Sequence, residues 1–179
     1  EAKLHAEIDG VLGGRLPTVD DLPRLPYCHR VITETLRFYP TVWLVGREAA
    51  EPVELGGYRI PVGTTIFMSQ WAVHRDPRWY DQADQFLPDR WLNGFQESLH
   101  RYAYFPFGGG PRICIGNNFS LMESVLLLAT IAQRFRLELV PDQTITPMPS
   151  PCSTESKSCV PAEVPKAVSR PKPVGEWHT

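Results

Sequence analysis

Residues 105–134 read FPFGGGPRICIGNNFSLMESVLLLATIAQR, a glycine-opened loop with one cysteine followed by the longest apolar-periodic run of the chain. The run predicts a helix with a core through Phe119, Met122, Val125, Leu126, Ala129 and Ile131. Near its centre it is apolar almost all round, which predicts deep burial. The loop therefore stands at the helix N-terminus, where backbone N–H groups lack intrahelical partners. A buried structural cysteine needs no such setting, and a disulfide cysteine needs a partner at a suitable spacing. Cys114 has neither surrounding, so the loop reads as an opening through which something flat and large reaches the sulfur.

The rest of the chain supplies a scaffold for that loop. Leu4, Ile8 and Val11 or Leu12 predict a short amphipathic helix over 3–12, ended by Gly13 and Gly14. Pro26 suits a first helical turn, and YCHRVITETLRFY places Val31, Ile32, Thr35, Leu36 and Tyr39 at helical spacing until Pro40 stops it. REAAEPVELGGYRIPVGTTIFMSQ alternates and breaks at Gly56-Gly57 and at Pro61 to Gly63, predicting two or three short antiparallel strands. WAVHRDPRWYDQADQFLPDRWLNG, rich in aromatics, Asp and Pro, predicts irregular chain with single helical turns. RLELV, after the long helix, predicts a strand.

Beyond about residue 141 the character changes. Eight of the 18 prolines lie past Val140, with Ser and Thr between them and no apolar period, so 150–179 is expected to be a disordered or divergent tail. A slip of reading frame near residue 150 would produce such an end. The chain starts at Glu1, inside what reads as a helix, and a fragment of a longer protein is the expectation.

Composition excludes several functions. At 179 residues the chain can bury a core, and a formal net charge of −2 argues against a nucleic-acid binder. No stretch approaches the ~20 apolar residues of a membrane span, and whether a membrane is involved stays open. Cysteines at 28, 114, 152 and 159 form no CxxC pair, which points to reduced thiols in a cytoplasmic setting.

The loop itself rejects its nearest rivals. Ile113 stands where a third glycine of GxGxxG belongs, and a P-loop Lys-Ser/Thr pair is missing. Zinc and iron–sulfur sites need several ligands close together, and the nearest other cysteine is Cys152. A thiolate ligand to a large cofactor, in contrast, needs amides that favour the anion, glycines that let a ring plane approach, and a cation for the cofactor's carboxylates. Gly108, Gly109, Gly110 and Gly116, with Arg112 and the following helix, supply each.

The run F107-G-G-G110-P-R112-I-C114-I-G116 resembles the Phe-x-x-Gly-x-Arg-x-Cys-x-Gly signature of the cytochrome P450 heme-thiolate monooxygenases. ETLR, with Glu34 and Arg37, is similar to the family's Glu-x-x-Arg, and LPDRW brings Arg90 to complete a Glu–Arg–Arg triad. The resemblance runs from about residue 1 to about 149, roughly the last third of a usual member. It implies a mostly α fold with a small antiparallel β region, the C-terminal heme-binding part of a P450 domain over 1–149, and heme b (iron protoporphyrin IX) as cofactor.

By that likeness Cys114 is the proximal thiolate on the iron and the residue on which catalysis depends. Arg112 meets a heme propionate, and Phe107 and Gly116 lie close to the ring. YPTVWLVGREAA looks like the strand entering the active site, so Val42 to Val45 would line the substrate side and Arg47 would be a second propionate partner. His74 reads as a structural histidine with no ligand role. The triad is expected to be buried and to lock the proximal face without doing chemistry.

For the whole protein the resemblance implies insertion of one oxygen atom from dioxygen into a small apolar organic substrate. Electrons would come from a ferredoxin- or flavoprotein-type donor docking near the Cys114 loop. The distal helix with its acid–alcohol pair would lie upstream of this chain. Two other readings stay open at this point: a heme-binding or sensing module without turnover, and an inactive truncated product. A heme walled on one side alone would leave apolar surface wet at about 25 cal/mol per Å², so the isolated chain is expected to be poorly stable and inactive.

Overall fold

The computed structural model describes residues 1–138 and the strand at Lys166–Ser169. The chain divides into two compact units, Glu1–Ile32 with Asn118–Thr179, and Thr33–Asn117.

In the first unit, helix α1 spans Ala2–Leu12 and ends at Gly13, whose φ of 55° lets its N–H reach back to Asp9 O at 3.0 Å. A short 3-10 helix at Val19–Arg24 follows, with Asp21 accepting from Thr18 N at 2.9 Å and from Arg15 Nη1 at 2.7 Å. Helix α2, Pro26–Phe38, begins on the proline, as the sequence predicts. The Glu7 carboxylate caps its first turn, accepting from Tyr27 N at 2.7 Å and Cys28 N at 2.8 Å. An anion at the positive end of a helix is stabilising there.

Helix α5, Asn117–Arg134, is the longest of the described helices. Its Val125, Ala129 and Ala132 join Ile8, Leu12, Leu25 and Cys28 in one buried cluster, with Leu4, Val11, Leu22, Ile32 and Leu128 packed on the edge. Complete burial of Ile8 and Leu25 contributes about 1.5–3 kcal/mol each. The expected all-round burial of α5 is corrected: Phe119 is 62% exposed and Ile131 46%. Small side chains at 129 and 132 let one stripe of α5 close onto the cluster, and a cylinder packed along one stripe leaves the other residues uncovered. Strand β5, Phe135–Glu138, pairs antiparallel with β6, Lys166–Ser169. Apart from those four residues, the tail expected to be disordered over 150–179 lies outside the described residues.

The second unit holds the remaining strands, β1 (Val45–Glu48), β2 (Val53–Leu55), β3 (Tyr58–Ile60) and β4 (Thr65–Met68). There are four, against the two or three expected, because β1 pairs with β4 around a nested β2–β3 hairpin. That hairpin turns on Gly56 and Gly57 at φ 58° and 83°, the two positive values a type I′ turn requires. Single helical turns follow: α3 (Gln70–Val73), a 3-10 turn at Pro88–Trp91, and α4 (Phe95–Ser98). Mostly helical secondary structure with small antiparallel sheets matches the expected class. Among the described residues no helix is long and apolar enough to cross a membrane.

Candidate functional site

The Cys114 loop occupies the end of the second unit. Gly108 and Gly110 have φ of 76° and 70°, conformations that an L side chain rarely adopts, and the space where their Cβ atoms would stand is open. Between Gly110 and Arg112 the chain makes one 3-10 turn. The Cys114 N–H donates to Phe107 O at 3.0 Å, and the Ile113 N–H to Gly110 O at 3.1 Å. These bonds close the loop on itself and bring Cys114 to Phe107, with Arg112 and Gly116 two residues to either side of the cysteine in the chain. The Cys114 thiol is free and exposed. Gly116 borders it: a Cβ there would stand 3.9 Å from Sγ, at ordinary van der Waals contact.

The two residues that flank Cys114 in the chain are apolar and exposed. Ile113 is 51% exposed and Ile115 fully so. A Cβ on Gly109 would meet Tyr102 Cε1 at 2.7 Å, so the tyrosine ring lies directly against the loop backbone. Sequence reading assigned Gly109 to cofactor access, and this contact gives it a second reason to be glycine.

Arg47 belongs to a different element from the loop. It lies exposed on β1 opposite Ile66, and its Nη1 donates to Gly46 O at 2.8 Å. Among the described residues it makes no hydrogen bond to the Cys114 loop.

Glu34, Arg37 and Arg90 do come together, in the buried network the motif implies. Arg37 uses all five of its N–H groups: Nε and Nη2 on the Glu34 carboxylate at 2.9 and 2.8 Å, Nη1 on His74 O and Ala83 O at 2.8 Å each, and Nη2 again on Gln85 O at 2.8 Å. Glu34 accepts further bonds from Leu87 N (2.8 Å), Arg90 Nε (3.2 Å) and Trp91 Nε1 (2.8 Å). Arg90 continues to Asp81 O at 2.7 Å and Gln82 O at 3.1 Å. Two charges with no solvent exposure are tolerable only with this degree of pairing. The backbone carbonyls of residues 74–85, which no regular ladder serves, are held by arginine forks instead.

Three consecutive residues leading into the loop are fastened to this scaffold. Tyr80 OH donates to Ala103 O at 2.9 Å, and Tyr104 OH to Thr33 O at 3.1 Å. The Phe105 N–H donates to His74 Nε2 at 3.0 Å, and Gln70 Nε2 donates to Phe105 O at 3.4 Å. Burial, then the nearby Arg37 charge, lowers the His74 imidazole from the usual 6.5 to about 4, so it is neutral at pH 7. Burial likewise raises the phenols of Tyr80 and Tyr104 well above the ordinary tyrosine range. Sequence reading missed the roles of Gln70, Tyr80 and Tyr104. Their spacing in a proline-rich, aromatic stretch carries no periodic signal.

A family model described as cytochrome P450 matches residues 1–159, most of the chain. The chain belongs to the cytochrome P450 family. Its curated relatives include cyclooctatin synthase of Streptomyces melanosporofaciens, 47% identical over 83% of this chain and 32% of that protein. Pentalenene oxygenase of Streptomyces avermitilis is 45% identical over 83% of this chain and 33% of its own length. Protein LUTEIN DEFICIENT 5, chloroplastic, of Arabidopsis thaliana is 42% identical over 78% of this chain and 24% of its own. The chain thus spans about a third or less of the curated relatives it matches.

P450 membership implies a heme, and the residues present fit one. A single exposed thiol, glycines with empty space at their Cβ positions, exposed isoleucines on either side and the exposed Arg112 compose a donor set for a flat apolar group with an anionic edge. A metal held by protein ligands alone would need several donors around it, and this loop presents one sulfur.

Proposed function

We propose that this chain is the heme-binding C-terminal part of a P450 monooxygenase, with the Cys114 thiolate as proximal ligand to heme b. The observation that carries the reading is the exposed thiol on a loop whose backbone bonds back to Phe107 and whose glycines leave its face open. Arg112 would hold one propionate and Arg47 the other, while Phe107 and Gly116 would flank the ring. The bound group, when present, activates dioxygen under the electron push of a thiolate. The chain's own residues position the sulfur, present apolar side chains beside it and anchor the loop to the Glu34–Arg37–Arg90 network.

The substrate is proposed to be a small apolar organic molecule, in keeping with the pentalenene in one relative's name. Electrons would come from a ferredoxin- or flavoprotein-type donor. Free thiols at Cys28 and Cys114 suit a reducing, cytoplasmic setting.

The test is the reduced carbon monoxide spectrum of the heme-loaded protein expressed from its complete reading frame. A red-shifted Soret band that Cys114→Ala abolishes is the expected result. Persistence of that band in the variant would remove Cys114 as ligand. Turnover of an apolar substrate with a donor present separates a monooxygenase from a heme sensor.

A further inference from the structure

We propose that His74 and Gln70 form a two-point clamp on the backbone of Phe105 that sets the position of the Cys114 loop, with His74 acting as a neutral acceptor through Nε2. The inference rests on the proposed role of Cys114 for its functional meaning, but its geometry stands independently.

Both clamp residues are fully buried and come from one helical turn, Gln70 opening α3 and His74 capping it. The His74 N–H donates to Gln70 O at 2.8 Å, which locks the two to each other. Among the described residues Gln70 Nε2 and His74 Nε2 both reach Phe105, while Gln70 Oε1 and His74 Nδ1 are buried with no hydrogen bond of ordinary geometry, the His74 ring facing the backbone of Leu36 and Arg37. The donor and acceptor at Phe105 fix the assignments. Because the Phe105 N–H donates, Nε2 must be bare and the ring proton must sit on Nδ1; because the Phe105 carbonyl accepts, the amide of Gln70 must face it.

The clamp joins the buried charges to the sulfur through an unbroken sequence of bonds. Glu34 binds Arg37, and Arg37 Nη1 binds the His74 carbonyl at 2.8 Å. The His74 ring then takes the Phe105 N–H, Phe105 O takes the Gly108 N–H at 2.9 Å, and Phe107 O takes the Cys114 N–H at 3.0 Å. A purely space-filling role at 74 would be met better by phenylalanine, which has no buried nitrogen to leave unpaired. What phenylalanine lacks is the acceptor for Phe105. His74 is a positioning residue, acting on the cysteine through the loop backbone.

The heme-loaded protein from its complete reading frame supplies the test, in wild type, His74→Phe and His74→Gln. Glutamine can bring Oε1 near the place of Nε2, whereas phenylalanine keeps the ring and loses the acceptor. Amide hydrogen exchange of the 103–114 segment should accelerate at least tenfold in His74→Phe, with exchange in α1 unchanged, and return to within about threefold of wild type in His74→Gln. The reduced carbon monoxide spectrum should lose thiolate-ligated signal in the same order. Equal exchange in all three proteins, or equal acceleration in both variants, overturns the clamp. Should His74→Phe fail to fold, ring nitrogen shifts of wild-type His74 decide: an unprotonated Nε2 with a protonated Nδ1 at pH 7 supports the clamp, and the opposite tautomer or a charged ring defeats it. A clamp that holds while Cys114→Ala keeps its thiolate band would sink the ligand assignment and leave the clamp standing.

Discussion

Arg37 lies against Glu34 with its Nε and Nη2 on the two carboxylate oxygens at 2.9 and 2.8 Å, and neither side chain has any contact with solvent. The remaining three N–H groups of Arg37 hold three backbone carbonyls, so the pair organises main chain as well as neutralising itself.

Removing one member leaves a charge with no water and half its partners. Glu34→Gln or Arg37→Leu should therefore cost about 3–5 kcal/mol, read as a fall in the denaturant midpoint. Arg37→Lys should rescue little, because a single ammonium offers three donors in place of a planar fork. A loss below 1 kcal/mol (roughly the worth of an exposed pair) would show that the network is dispensable.

His74 gives the protein an acid sensitivity whose sign follows from its burial. The folded imidazole is lowered to about 4 against 6.5 when free, so between those values the unfolded chain binds a proton that the folded one refuses. Stability from this residue is complete above about pH 6.5, falls as pH drops towards 4, and levels off below. The slope has a ceiling of about 1.4 kcal/mol per pH unit. Arg37 and Arg75, both near the ring, push in the same direction as burial. Denaturant midpoints from pH 7 to 4 should show a shallower decline in His74→Gln than in wild type, since the carboxylates titrate alike in both.

Gly109→Ala places a methyl group 2.7 Å from the Tyr102 ring, and the ring must swing away into solvent. The expected cost is about 1–3 kcal/mol, typical of overpacking. Tyr102→Ala combined with Gly109→Ala should recover most of it, and a double-mutant cycle measures the coupling. Additive losses would mean that the ring and the loop do not depend on each other.

The two described thiols should differ in reactivity. Cys28 is buried in the core, and burial, then the Glu7 carboxylate, pushes its thiol up to about 12, so it is protonated at any physiological pH. Cys114 is exposed. Alkylation mapped by mass spectrometry on the heme-free protein should label Cys114 at least tenfold faster than Cys28. Loading heme should then protect Cys114 selectively.

Much of this was legible in the sequence where one local cause dominates. Pro26 starts α2 and Gly13 ends α1 because backbone geometry alone decides both. Gly56-Gly57 announces a hairpin for the same reason. The triad was legible through its motif spacing, and so was the cysteine loop. Burial along α5 was not: Phe119 and Ile131 are as apolar as Val125, and which stripe is covered depends on what packs there, not on composition. In α2 the apolar residues Val31, Ile32 and Leu36 are only half-buried, while the fully buried positions include Glu34 and Arg37. Periodicity counts apolar residues, and a core made partly of ions escapes it. The pairing of β1 with β4 and the hold of His74 on Phe105 join positions 17 or more residues apart, beyond the reach of any local pattern.

The Glu34 carboxylate draws its Leu87, Arg90 and Trp91 partners from 53, 56 and 57 residues downstream. During synthesis, a nascent chain that has emerged only as far as β4 carries the Glu34 side chain with most of its donors still inside the ribosome, and α2 cannot bury that face at an acceptable cost. Tertiary docking of α2 must therefore wait until Trp91 has left the ribosome, so ribosome-bound chains arrested before that residue are natural clients for chaperones that shield half-formed helices.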